Sequence, residues 1–278
     1  MSNTSSINSE LFANLVMEAQ MGAFENSVIR NIATVFDAPV NAGRTLQVPV
    51  WANTSASGLV EGTPATAADT NTTSITLTLG EIGVYHQITD FLRDSAYSNV
   101  AATLGQQSGM AIAEKMDADA FALFAGFTGE AGPGAGAELT KDHILKAAAI
   151  LRSRKLTGPF YAVVSPAQAY ALKAALTATT AYTANTNLGN RALDSYYVGQ
   201  IAGVTILESA LLGVDGSGDT VGAVFSPRGL ATAMRGTLTY EATRVAQNRA
   251  TDLMVTAVTG QAILQAGFGV KLTADGEI

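Results

Sequence analysis

A helical pattern of about thirty residues, Ser98 to Phe127, constrains this chain more than any other feature. Val100, Leu104, Ile112, Met116 and Leu123 give it bulk, while Ala101, Ala102, Gly105, Gly109, Ala111, Ala113, Ala118 and Ala120 keep much of its surface small. At about 1.5 Å per residue such a helix runs roughly 45 Å, longer than most globular helices. It reads as a structural spine, and its alanines let neighbouring elements come close. Glu114, Lys115, Asp117 and Asp119 read as solvated charges, with Lys115 and Asp119 at ion-pair spacing. The run Gly129 to Gly136 breaks the helix in what reads as a flexible joint.

Before the spine the periodicity is that of strands. Leu46, Val48 and Val50 alternate with Thr45, Gln47 and Pro49, and Ile75, Leu77 and Leu79 alternate with threonines. Between them lies a polar stretch, Asn53 to Asn71, so residues 44–80 read as a long two-stranded arm with a flexible tip. Pro49 cannot donate to a ladder and places its strand at an edge. A lone hairpin is marginal in water, so its apolar face needs cover from elsewhere. A third alternating run, Ile82, Val84, His86 and Ile88, leads toward the spine. Ahead of all these, Leu11, Leu15, Met17, Met21, Phe24 and Val28 trace the stripe of an amphipathic arm. It is too short to fold alone and must lie on its own domain or on another copy.

After the spine the chain reads as an α/β module. Thr140 caps a helix that runs to Lys155, and strand Phe160 to Val164 meets Ser165-Pro166, with serine as N-cap and proline as first helical residue. The same device recurs at Ala223-Val-Phe-Ser-Pro227, where a second helix is expected. A polar loop over residues 177–194, a strand near Val204 to Leu207, alternation at Leu253, Val255 and Ala257, and a last strand near Phe268 to Leu272 complete the pattern.

Groups able to do chemistry are scarce. With no cysteine the chain has no disulfide, thiolate nucleophile or cysteine-ligated zinc, and two histidines, His86 and His143, cannot build a histidine-rich metal site. Ser108 lies inside a helix without the Gly-x-Ser-x-Gly spacing, and the glycine run lacks a phosphate loop's Lys-Ser/Thr ending. Asp215-Gly-Ser-Gly-Asp219 is too short for an EF-hand and reads as a β-turn. A hydrolase built on Asp117, Asp90 or Ser108 is the weakest reading, and no cofactor or metal is implied. Sixteen basic against twenty-three acidic residues leave a net charge of −7, the wrong sign for wrapping nucleic acid through its phosphates. Arg228, Arg235, Arg244 and Arg249 lack interleaved aromatics and suit ion pairs at subunit contacts. No run of about eighteen apolar residues could cross a membrane as a helix. The N-terminus lacks the basic and apolar regions of a signal peptide, so a cytosolic origin is expected.

The order of parts, with Arg44-Thr-Leu-Gln-Val-Pro-Val-Trp51, Glu61-Gly-Thr-Pro64, Ile88-Thr-Asp-Phe-Leu-Arg-Asp94, Ala113-Glu-Lys-Met-Asp-Ala-Asp119 and Ala223-Val-Phe-Ser-Pro227, resembles the major capsid proteins of tailed phages with the Hong Kong 97-type fold. The resemblance implies an α+β chain divided into an N-terminal arm (1–43), an extended hairpin loop (44–80), a peripheral domain with the spine (81–137), an axial domain (138–236) and a return to the peripheral domain (237–278). It implies a non-enzymatic virion protein, made in the bacterial host cytoplasm, that forms pentamers and hexamers of itself. It also implies a portal and packaged DNA held without sequence reading as partners. The arm is too short for a fused scaffolding segment, so a separate scaffolding protein is expected. A cellular encapsulin shell of the same fold is the alternative. Candidates for contact between copies are Phe24, Leu46, Val48, Trp51, Ile75, Leu77, Leu79, Arg244 and Arg249, and Leu77→Asp is expected to block assembly while sparing the subunit's fold.

Overall fold

A computed structural model describes residues 27–41, 43–51, 72–95, 100–177 and 199–277, with a few separate positions between 56 and 67. The stripe from Leu11 to Phe24 and nearly all of the polar loop at 177–194 lie outside the described residues. The elements, in chain order, are α1 (Ile29–Ile32), β1 (Thr34–Asp37), β2 (Thr45–Trp51), β3 (Thr72–Thr78), β4 (Gly80–Thr89), α2 (Asp90–Ser95) and the spine α3 (Val100–Phe121). They continue with α4 (Lys141–Ser153), β5 (Phe160–Val164), α5 (Pro166–Thr177), β6 (Gln200–Ile201), β7 (Val204–Glu208), β8 (Asp219–Phe225), β9 (Leu230–Val245), β10 (Ala250–Ile263) and β11 (Gly269–Asp275).

The strands form a four-stranded sheet in the order β1-β9-β10-β4, a five-stranded sheet in the order β11-β8-β5-β7-β6, and the hairpin β2-β3. Strand β4 alternates between half-buried and exposed residues along its whole length, as its period of two predicts. Its inward Ile82, Val84 and Ile88 meet Leu253, Val255 and Ala257 of β10, and Ile112 and Met116 of the spine cover that face. The five-stranded sheet is buried on both sides. Phe160, Ala162 and Val164 point to α4 and α5, while Tyr161 and Val163 point to the far end of the spine. There a 3-10 turn, Ala122–Gly126, extends the spine, and Phe121, Phe124, Phe127 and Phe225 gather with ring centroids 5.3 to 6.0 Å apart. Gly269 leaves the space that the Phe127 ring occupies.

The two Ser-Pro devices behave differently. At the first, Ser165 Oγ accepts the Gln168 N–H and Gln168 Oε1 accepts the Ser165 N–H, both at 3.2 Å, closing a capping box that starts α5. Gln168 is wholly buried, and its amide nitrogen also donates to the carbonyls of Thr220 and Ala274. The helix expected after Ser226-Pro227 is absent: a single 3-10 turn, Pro227–Gly229, runs straight into β9. The position that holds Gln168 in the first device holds Gly229 in the second, and glycine has no side chain to close a box and poor helix propensity.

The glycine joint is likewise a correction. Ala131 N–H donates to the Lys271 carbonyl, Lys271 N–H to Gly129 and Gly134 N–H to Thr273, so the segment is strapped along β11 and is not a free hinge. A Cβ on Gly132 would overlap the Thr273 carbonyl oxygen, which explains the glycine by close approach. The division expected at residue 236 falls inside β9, and β11 pairs with β8 of the five-stranded sheet.

Gln168→Ala is expected to destabilise the subunit by about 1–3 kcal/mol, because it strands buried groups on three elements. Urea unfolding of the two proteins checks this, and an unchanged midpoint would remove Gln168 from that role.

Candidate functional site

The hairpin pairs Leu46 with Leu77, Val48 with Ile75 and Val50 with Thr73 on one face, with Thr45, Gln47, Thr76 and Thr78 on the other. Among the described residues β2 bonds only to β3, so Pro49 sits at an edge as its missing N–H requires. The base of the hairpin is anchored to its own chain. Leu79 N–H donates to the Arg44 carbonyl at 2.8 Å, the Arg235 guanidinium donates to the Gly43 carbonyl, and glycine at 260 lets β10 approach Thr78 closely.

Leu77 is 0% exposed and Leu79 is buried with it, among Ala38, Ala231 and Ala233, with Phe36 and Val258 beside them. These two residues are therefore core and not contact residues, and Leu77→Asp would damage the subunit itself. Alternation shows which face is apolar; it does not show which surface covers it. Leu46, Val48 and Ile75 are half-buried, and Trp51 at the distal end of β2 is 63% exposed. Trp51 is in phase with Thr45, Gln47 and Pro49 and so stands on the outer face of the hairpin, opposite Leu46, Val48 and Val50. Phe91 of α2, at 83% exposure, is another large apolar side chain on the surface, and the sequence pattern did not single it out.

The Arg244 side chain and the Arg249 backbone have partners within the chain. Arg244 donates from both terminal nitrogens to the two carboxylate oxygens of Asp90, each at 2.6 Å, and this bidentate pair raises the arginine pKa. Arg249 takes a left-handed backbone, φ +44°, in the turn between β9 and β10, and its carbonyl accepts the Asp90 N–H. The ion pair expected of Arg244 between subunits is therefore made inside one subunit.

The residues considered for hydrolysis are placed by structure. Ser108 Oγ donates to the Leu104 carbonyl at 2.6 Å and lies 3.0 Å from His86 Nε2. With its proton given to Leu104, Ser108 accepts from His86, the reverse of what a general base would need. His143 Nδ1 accepts the Thr140 N–H in the box that starts α4.

Asp117 is not solvated. It is 1% exposed and accepts from Ser27 Oγ at 2.7 Å, Val28 N at 2.7 Å and Ile29 N at 3.2 Å. Burial pushes its carboxyl pKa up, outweighing the pull of these three donors. Lys115 and Asp119 do form the expected surface pair, at 2.7 Å. Among the described residues no three histidine or acidic side chains gather as a metal site, and no helix is long and apolar enough to cross a membrane.

The sequence model of a family described as phage capsid protein matches residues 72–272. The chain belongs to the phage capsid protein family. No curated protein sequence matches it. The capsid of cyanophage P-SCSP1u shares its fold with 18% identity, 90% of this chain and 89% of that one covered, and a TM-score of 0.66. The head of Helicobacter pylori bacteriophage KHP40 does so with 13% identity, 91% of each chain covered and a TM-score of 0.68. A virus-like particle from Pyrococcus furiosus matches at 11% identity, covering 94% of this chain and 98% of that one, with a TM-score of 0.59. The fold alone is thus common to several shells; the family match favours the phage capsid over a cellular compartment. This phage capsid protein has the α+β Hong Kong 97-type fold and is a structural component of the virion capsid.

Two outcomes follow from the burial described above. Leu77→Ala is expected to cost the subunit about 2–5 kcal/mol, since a fully buried leucine is truncated; a melting temperature equal to wild type would refute its core placement. Asp117 titrates above its ordinary value in the folded subunit, so folding favours its protonated form. Stability relative to Asp117→Asn is then greatest below the ordinary carboxylate range and falls as pH rises through the folded value. Urea midpoints over a pH series read this difference directly, and a rising or flat difference contradicts it.

Proposed function

We propose that the chain is the major capsid protein of a tailed phage, assembling as pentamers and hexamers into an icosahedral head around double-stranded DNA. The family match over residues 72–272 carries this reading, because it takes in the spine and most of both main sheets. Relatives of the same fold that form a capsid and a head support self-assembly. In this reading residues 44–80 are the extended loop. The spine with the four-stranded sheet forms the peripheral domain, and the five-stranded sheet with α4 and α5 forms the axial domain. Strand β11 then belongs to the axial domain.

The hairpin supports a contact between copies through its outer face, where Trp51 stands exposed at the distal end of β2. An exposed tryptophan on a rigid strand is the kind of anchor that dominates protein interfaces. The net charge of −7 suits a lining that encloses DNA without gripping it. A portal, a separate scaffolding protein and synthesis in the bacterial host cytoplasm complete the proposal.

Electron microscopy and sedimentation of the purified chain test the reading. Closed shells are expected, and a compact monomer at every concentration and salt condition would overturn it. Trp51→Asp is expected to leave the subunit's melting temperature unchanged while weakening association more than roughly tenfold, the loss typical of a deleted aromatic anchor. Equal particle yield from this variant would remove Trp51 from the interface.

A further inference from the structure

Helix α4 and the turn that ends it invert the charge of the chain locally. Residues 141–155 hold five of the sixteen basic side chains and one of the twenty-three acidic ones. Ile144, Ala147, Ala148 and Leu151 turn inward onto the five-stranded sheet, so Lys146, Ala149 and Arg152 lie on the outward arc of the helix, and Lys155 follows just past its end. All four are exposed, and among the described residues none of the three cations has an ion-pair partner. One terminal nitrogen of Arg152 donates to the Ala202 carbonyl, and the backbone of Lys155 is set in a left-handed turn, φ +62°. Arg154, the other cation of the turn, is committed to the Gly267 carbonyl. A helix draws cations to its last turn, which accounts for Arg152 and Lys155 but not for Lys141 at the positive end or Lys146 in the middle. The charges are also segregated: the face of the four-stranded sheet turned from the spine carries Glu81, Glu241 and Asp252.

From Lys146 to Arg152 the helix rises about 9 Å. Along one strand of a duplex that length takes in two or three phosphates, at roughly 3.4 Å each. We propose that the outward face of α4 is a contact for the phosphate backbone of duplex DNA, and hence that it is the side of the axial domain turned to the interior of the head. The inference rests on the shell-forming reading above. Ammonium and guanidinium groups on phosphate read no sequence. Three cations make a weak contact on one subunit, and repetition over a shell turns it into a lining, while the acidic remainder of the subunit keeps DNA from adhering elsewhere.

Anisotropy of a short labelled duplex with the full-length subunit, followed between about 20 and 200 mM salt, tests the contact. Three phosphate contacts give log K against log salt a slope of roughly −3, and Lys146→Ala combined with Lys155→Ala should bring it to roughly −1 at an unchanged melting temperature. Lys115→Ala, which removes a cation from the spine, should leave the slope as it is. Absence of binding at the lowest salt, or equal slopes in the wild type and the double variant, would overturn the proposal. Polyglutamate that displaces the duplex at equal charge concentration would also overturn it, making an acidic protein segment the partner. In DNA-filled heads, acylation of Lys146 and Lys155 relative to Lys115 is expected to be several-fold slower than in empty shells; equal rates would sink the inward orientation. A wild-type chain that forms no shells sinks the shell reading, and the duplex titration, which uses the subunit alone, still decides the DNA contact.

Discussion

The packing of the spine's far end against the five-stranded sheet is the contact on which the other parts depend. Phe121, Phe124 and Phe127 come from the spine and its 3-10 extension, and Phe225 comes from β8. Offset and tilted rings at these separations add to the burial of large apolar surfaces. The same cluster receives Ile29 and Ile32 from α1 and Leu230 from the start of β9. Three stretches of chain, far apart in sequence, are therefore located by one apolar centre. The four-stranded sheet, by contrast, lies along the middle of the spine through Ile112 and Met116.

Much of the fold was legible because its signals are local. The alternation of Ile82, Val84, His86 and Ile88, the capping serine before Pro166 and the edge proline at 49 each act within a few residues. The missing helix after Ser226-Pro227 has a local mark too, in the third residue after each serine: Gln168 closes a box and Gly229 cannot. The glycine strap was not. Glycines at 132 and 134 look alike in sequence whether they free a joint or admit a neighbouring backbone, and only the partner strand β11 decides between them.

How far the hairpin's apolar face is covered was half legible for a related reason. A strand's pattern marks an apolar face, and the hairpin has one apolar face along its entire length. Its root, Leu77 and Leu79, is covered by β9 and β10 of the same chain while Leu46, Val48 and Ile75 are only half-buried, a boundary set in tertiary structure; the exposure of Trp51 follows from the period, which puts it on the opposite face. Asp117 misled in the opposite sense. Surrounded in sequence by Glu114, Lys115 and Asp119, it looks like one more wet helix charge, and the donors that justify its burial lie at Ser27, Val28 and Ile29.

Strand β11 holds a central place although it is the last described strand in chain order. It pairs with β8 on one side and takes the strap of residues 129–134 on the other, and Arg154 of the turn after α4 donates to the Gly267 carbonyl just before it. During synthesis the five-stranded sheet stays open along β8 until residues 269–275 emerge. A chain lacking those residues would present an open edge at β8 and a strap with nothing to hold it, so the last described strand is the one that completes the sheet.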